Sequence, residues 1–280
     1  MGTAIVIFDI DGVVRDVSGS YRRAIADTVE HFTRGKYRPT PADIDQLKTE
    51  GVWNNDWKAS EELVYRYFER RGEGREAQPL DYEAIVEYFQ IRYRGPEDAP
   101  FTGYIQEEPL LMSREYLHSL DNAGIPWGFF SGATRASAEF VLDNRLGLKQ
   151  PPLVAMGDAP DKPDPMGLFA IAKRLSPVAS SMASTPITPV IYAGDTVADM
   201  HTIRQARGQQ PQGQWIAVGV LPPHVQETEA RAERYGEILR EAGADLVVAN
   251  IEALTPEQIA QLVQLPQTRR DALATPPTAR

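Results

Sequence analysis

The chain opens on Ala4-Ile5-Val6-Ile7-Phe8, a run with no polar residue, and breaks it with Asp9-Ile10-Asp11-Gly12. A short run of β-branched and aromatic residues reads as a strand buried on both faces, the kind a parallel sheet requires. The rest of the sequence must then supply helices to cover those faces. It must also accommodate two carboxylates and a glycine at the strand's carboxyl end, the edge where open α/β sheets keep their ligands. Neighbouring carboxylates repel and raise each other's pKa unless a cation neutralises them. A purely structural turn gains little from such a pair.

The strand pattern recurs. Residues 126–130, 153–156, 190–193, 215–218 and 246–248 read as further strands, with helices predicted over 109–121, 135–146, 165–175 and through Met200 and Ile203. Such alternation predicts a parallel sheet with right-handed crossovers. Residues from about 20 to 100 break it, because their apolar positions recur at helical spacing throughout: Tyr21, Ile25, Val29 and Phe32, then Leu63, Val64, Tyr67 and Phe68, then Tyr82, Ile85, Phe89 and Tyr93. A short helix opens at Pro39-Thr40-Pro41 and stops near Gly51, and the next is predicted over 57–71. The expected architecture is α/β: a Rossmann-like parallel sheet flanked by helices (residues 1–17 and 104–266) with an all-helical cap domain (18–103) inserted after the first strand. Ser176 to Pro189 reads as a surface loop, and residues 267–280 as a flexible tail.

Composition narrows the function. A net charge of −10 argues against nucleic acid or an anionic membrane surface as the main partner, but not against a small anion held by a local positive site. The absence of cysteine removes disulfides, thiolate metal sites and cysteine nucleophiles together. The first residues lack the basic leader of a signal peptide, and no stretch is long and apolar enough for a transmembrane helix. A cytoplasmic protein, monomer or homodimer, is the expectation.

Chemistry then appears at each strand end. After the second strand comes Ser131-Gly132-Ala133-Thr134-Arg135, after the third Asp161-Lys162-Pro163-Asp164, and after the fourth Gly194-Asp195-Thr196-Val197-Ala198-Asp199. In a parallel sheet all these ends share one edge. Acids from the first and fourth strands suit Mg²⁺, a hard cation that takes oxygen ligands. Ser131, the Gly132 amide and Lys162 suit phosphate oxygens.

Four motifs in this order, Asp9-x-Asp11-Gly12-Val13, Ser131-Gly132, Lys162-Pro163 and Gly194-Asp195-Thr196-x-x-Asp199, resemble those of the haloacid dehalogenase-like hydrolases. The helical insertion resembles the cap of that superfamily's phosphoglycolate-phosphatase-like and β-phosphoglucomutase-like members. The resemblance implies Asp9 as nucleophile and metal ligand, and Asp11 as acid and base that also offers its backbone carbonyl to the metal. It implies Asp195 as metal ligand and Asp199 as ligand or support. Ser131, Gly132 and Lys162 would bind the phosphoryl group. The implied function is a Mg²⁺-dependent phosphatase for a small phosphorylated metabolite, acting through an aspartyl-phosphate. A sugar phosphomutase and a catalytically silent binding protein remain as alternatives.

For substrate specificity the candidates are Asn54, Asn55, Asp56 and Trp57, a polar turn with one aromatic, and Arg135. The competing reading of the turn is an Asx cap on the following helix with Trp57 in the cap core. Arg15, Arg22 and Arg23 are expected to be solvated, with recognition of a second anionic group as the alternative.

Overall fold

The structure, a computed structural model, describes residues 4–53, 55–176 and 188–265. Asn54, most of the segment predicted as a surface loop and the predicted tail lie outside these residues.

The chain divides into two compact units, one formed by residues up to Asp16 and from Leu110 onward, the other by Val17–Pro109. The first unit holds six strands: β1 Ile5–Phe8, β2 Trp127–Phe130, β3 Leu153–Val154, β4 Val190–Gly194, β5 Trp215–Val220 and β6 Leu246–Val248. They form one sheet in the order β3-β2-β1-β4-β5-β6, and every pairing is parallel. The strand order therefore reverses at β1, with β2 on one side and β4 on the other, and this reversal point is where an open α/β sheet leaves a crevice for ligands.

The helical unit comes next in the chain. Its helices are α1 Tyr21–Phe32, α2 Pro41–Lys48, α3 Asp56–Glu69 and α4 Tyr82–Tyr93, and no strand occurs among its described residues. Its termini carry their stop and start signals. Thr40 and Asp43 form a reciprocal capping box on α2, with Pro41 at the first helical position. Gly51 takes a positive φ of 74° just beyond it. Tyr21, Ile25 and Val29 of α1 and Ile85 and Phe89 of α4 are buried. The unit also includes the 3-10 turn Tyr104–Glu107, whose Tyr104 hydroxyl donates to Asp27.

The sheet unit's own helices are α5 Arg114–Asn122, α6 Arg135–Glu139, α7 Met166–Leu175, α8 Val197–Gln209, α9 Glu229–Ala242 and α10 Pro256–Gln264. Alternate residues of β1 feed two separate cores: Val6 and Phe8 pack with Leu117, Leu120 and Phe129 on one face, Ile5 and Ile7 with Leu168, Ile171 and Met200 on the other. No helix among the described residues is long and apolar enough to cross a membrane.

Several predicted elements differ in detail. The helix predicted over 109–121 begins only at Arg114, where Ser113 caps it. The residues before it are held instead by backbone pairing, with Leu110 bridged to Arg15 and the Leu111 amide donating to Val14. The helix predicted over 135–146 is α-helical to Glu139 and widens to a π-helix over Phe140–Arg145. Two helices, α9 and α10, were not anticipated. Helix α9 buries only Gly236, Leu239 and Ala242 among charged neighbours, too thin an apolar stripe to stand out.

Candidate active site

The carboxyl ends of β1, β2 and β4 and the segment after β3 bring the motif residues to one edge of the sheet. Asp9 follows β1 directly, and its amide donates to the Ala193 carbonyl of β4 at 2.8 Å. One oxygen of its carboxylate, Oδ1, accepts from the Ile10 amide at 2.7 Å, and the other, Oδ2, lies 3.0 Å from Lys162 Nζ. Lys162 Nζ also donates to Asp199 Oδ1 at 2.8 Å. Its side chain is 1% exposed, so this lysine is an internal counter-ion rather than a surface residue.

Asp195 closes the cluster from β4. Gly12 makes room for it: a Cβ built there would lie 2.0 Å from Asp195 Oδ2, and Gly12 has the positive φ of 72° that this turn demands. Carboxylate oxygens of Asp9, Asp195 and Asp199 lie within 4.8 Å of one another, and all three residues are buried. Such a group is able to hold a metal ion.

The three acids are not equivalent. Asp199 Oδ1 accepts from Lys162 Nζ and from the Tyr192 hydroxyl at 2.9 Å, while Oδ2 accepts from the Thr196 amide and hydroxyl at 3.0 and 2.6 Å. Every lone-pair direction of that carboxylate is occupied, which leaves no good one for a direct metal bond. Asp195 is the opposite case: it is 5% exposed, and its carboxylate accepts no hydrogen bond among the described residues. A buried carboxylate without a donor is costly, and an oxygen-seeking divalent cation would relieve it. On this chemistry Asp9 and Asp195 fit as direct ligands, and Asp199 as the residue that fixes Lys162.

The proton affinities follow. Burial, reinforced by Asp199 and Asp11 and opposed by Lys162, raises Asp9 to about 7. Burial, then repulsion from Asp199 and Asp9, raises Asp195 well above the usual carboxylate range. Burial also works against the charge of Asp199, but Lys162 and the Thr196 donors outweigh it and hold that group low. For Lys162, burial opposes the charge, and Asp199 and Asp9 more than restore it. The cluster therefore contains one well-compensated ion pair and two acids whose ionisation awaits a further positive charge.

Ser131 follows β2, one strand across from Asp9. It is buried, its amide donates to the Val154 carbonyl at 3.0 Å, and its Oγ accepts from the Ala133 amide at 3.2 Å. The cap of the following helix is Thr134 and not Ser131. Gly132 is half-buried beside it.

Of the remaining candidates, Arg135, Asn55 and Asp56 have partners of their own. Arg135 pairs with Asp158 and, at 3.4 Å, with Glu139, so its guanidinium serves acids of its own surface. In the helical unit, Asn55 Oδ1 caps α3 by accepting from the Trp57 and Lys58 amides at 3.0 and 3.1 Å. Asp56 is ion-paired to Lys48 at 2.6 Å, and Trp57 is half-buried. Asn55 thus caps α3 as the Asx reading expects, whereas Trp57 is not in the buried core of the helical unit. The expectation of solvated arginines fails for two of three: Arg15 is fully buried against Asp11, and Arg22 is buried and paired with Asp45. Arg23 is exposed, with its guanidinium 4.3 Å from the Tyr104 ring centroid.

Two residues of the site were not given their observed partners from sequence. Tyr192 is fully buried in β4, its hydroxyl 2.9 Å from Asp199 Oδ1 and 3.1 Å from the Phe130 carbonyl oxygen. Its single proton serves the charged acceptor better. The readable signal was a tyrosine in an otherwise apolar central strand, whose hydroxyl needs an internal partner. Arg15 is the second, and its partner is Asp11.

Comparison with known proteins agrees with this geometry. Over 249 residues the chain is 30% identical to a protein of Phytophthora nicotianae called imidazoleglycerol-phosphate dehydratase, covering 87% of this chain and 49% of that protein. The chain thus spans about half the length of that relative. Among solved structures, a phosphatase from Thermococcus thioreducens superposes with a TM-score of 0.58 at 24% identity, covering 76% of this chain and 92% of the other. A β-phosphoglucomutase from Clostridium difficile superposes with a TM-score of 0.57 at 16% identity, covering 93% and 96%. Both likenesses are of fold. The family model for haloacid dehalogenase-like hydrolases matches residues 3–207, which contain all four motifs. With that match over most of its length, and with those motifs gathered at one sheet edge, the chain belongs to the haloacid dehalogenase-like hydrolase family.

Proposed function

We propose that this protein is a Mg²⁺-dependent phosphatase that hydrolyses a small phosphorylated metabolite through an aspartyl-phosphate on Asp9. One observation carries the reading: the Asp9 carboxyl group is buried between Lys162, which offsets part of its charge, and a second acid, Asp195, that accepts no hydrogen bond among the described residues. This is an arrangement for a nucleophilic carboxylate beside a cation rather than for a structural turn.

In the proposed reaction an Asp9 oxygen attacks phosphorus and the P–O bond to the leaving group breaks. Asp11 gives its proton to the departing oxygen. A water then attacks the aspartyl-phosphate, Asp11 takes up the water's proton, and the P–O bond to Asp9 breaks to release inorganic phosphate. Lys162, held by Asp199, stabilises charge on the phosphoryl oxygens, and the Ser131 hydroxyl and Gly132 amide bind the same oxygens. Magnesium, when bound, would sit on Asp9, Asp195 and the backbone carbonyl of Asp11 and offset the negative charge of acids and substrate. The helical unit is the part of the chain that would select the leaving group, with the turn from Asn54 to Trp57 as its candidate element.

The test is phosphate release from a panel of phosphomonoesters with Mg²⁺, using Asp9→Asn as control. The panel includes sugar phosphates and, because one relative is named for imidazoleglycerol phosphate, imidazole-bearing phosphates. Phosphate release that vanishes in Asp9→Asn supports the reading. No release from any ester, with Asp9→Asn indistinguishable from wild type, would sink it. Accumulation of an isomerised sugar phosphate in place of free phosphate would replace it with a mutase.

A further inference from the structure

Arg15 lies four residues beyond Asp11, where the chain leaves the motif turn. Its side chain is 0% exposed and its guanidinium contacts Asp11 Oδ1 at 2.6 Å. The Asp11 side chain is 24% exposed. The pair therefore has a buried end and an open end, with the guanidinium wholly inside the protein and the carboxylate partly outside it.

The arginine is well fixed. The Arg15 amide donates to the Ile10 carbonyl at 3.2 Å, and the Arg15 carbonyl accepts from the Gly12 amide at 2.9 Å. A bridge to Leu110 and a 2.8 Å bond from the Leu111 amide to Val14 strap the same segment to the chain that precedes α5. Taking a guanidinium out of water is expensive unless an acid meets it with good geometry. A turn that needed only stability would place an apolar residue at such a position. The guanidinium grips one oxygen of Asp11 with two nitrogens: Nε donates to Oδ1 at 2.6 Å and Nη2 lies 2.6 Å from the same atom, which a rigid planar group does better than a flexible ammonium.

We propose that Arg15 is a positioning residue for Asp11: anchored in the interior, it holds the Asp11 carboxyl group in the orientation required to give a proton to the leaving oxygen and to take one from the attacking water. The proposal rests on the phosphatase reading above, since it gives Asp11 something to be oriented for. It assigns Arg15 no contact with substrate.

The experiment compares wild type, Arg15→Met, Arg15→Lys, Asp11→Asn and the double variant Asp11→Asn/Arg15→Met on the best ester of the panel. Arg15→Met should lower kcat by ~10–100-fold, the scale on which a misplacement of about 1 Å acts, with KM changed by less than about twofold. Arg15→Lys keeps the charge but not the planar grip and should fall between wild type and Arg15→Met. In the Asp11→Asn background the Arg15 change should cost no further activity, because an arginine that acts through Asp11 has nothing left to orient. Cooperative thermal unfolding of each variant separates misfolding from misplacement. Should Arg15→Met not fold, Arg15→Lys carries the test, and a wild-type kcat there refutes the proposal. So does an unchanged kcat in folded Arg15→Met, or a full further loss in the Asp11→Asn background. A wild type that is inactive on every ester removes both readings. An active wild type with an indifferent Arg15 removes this one alone.

Discussion

Replacing Gly12 by alanine should disarm the site while leaving the fold standing. Two costs arise, and the structure separates them. The first is backbone strain, since an L-residue at φ +72° pays roughly 1–2 kcal/mol for the left-handed conformation. The second is displacement. The new Cβ would lie 2.0 Å from Asp195 Oδ2, and relief to ordinary contact at 3.4 Å requires a retreat of about 1.4 Å. A shift of about 1 Å in a reacting constellation costs on the order of 10²-fold in rate. Gly124→Ala supplies the control, because Gly124 has a similar φ of +66° but no heavy atom within 4 Å of a built Cβ. Both variants should lose comparable backbone stability in denaturant titrations. On the proposed function, only Gly12→Ala should lose ~10²-fold in kcat and the thermal stabilisation expected on adding Mg²⁺. If Gly12→Ala kept its kcat within about threefold and its full Mg²⁺ response, the close packing of Asp195 on this turn would have no bearing on the site.

Metal-free protein should lose stability as pH rises. The folded state raises Asp9 from 3.8 to about 7, so the stabilisation from its bound proton is complete below about pH 4 and is lost as pH rises through about 7. Asp195 shifts in the same direction, and denaturant midpoints in chelator should fall across this window and recover on adding Mg²⁺. Lys162→Met leaves Asp9 and Asp199 without their shared counter-ion and should destabilise the fold by ~3–5 kcal/mol at neutral pH, read from urea titration. Tyr192→Phe removes one donor to Asp199 and should cost ~1.5–3 kcal/mol; no change would mean the hydroxyl contributes no net stability through either acceptor.

The legible part of this protein was whatever had a short-range cause. Val190–Gly194 announced itself as an uninterrupted apolar run, and Thr40-Pro41-Ala42-Asp43 carried its own capping box. The motif residues could be assigned to one edge because a parallel sheet leaves strand ends nowhere else to go. What stayed hidden depends on long-range neighbours. Nothing local distinguishes Arg15, buried on Asp11, from Arg23, exposed over Tyr104, since both are arginines in the same polar stretch. That Asp199 accepts from Lys162, Tyr192 and Thr196 together could be seen only once the fold had brought those donors to it. Helix α10 is a different sort of omission. Thr255-Pro256 is a readable start signal, with Ile259 and Leu262 on the buried face, and the cue was present in the sequence.

Asp199 has one further consequence. The oxygen that takes the Thr196 amide and hydroxyl is half of the capping box that begins α8, while the other oxygen of the same carboxylate grips Lys162. The first turn of α8 and the orientation of Lys162 are thus one mechanical object. Fraying of that turn would loosen one of the two carboxylates that hold the ammonium group and leave Asp9 as the other, so a loose helix end and a fully ordered Lys162 exclude each other. Hydrogen exchange at the Thr196 and Asp199 amides would then keep time with the loosening of Lys162.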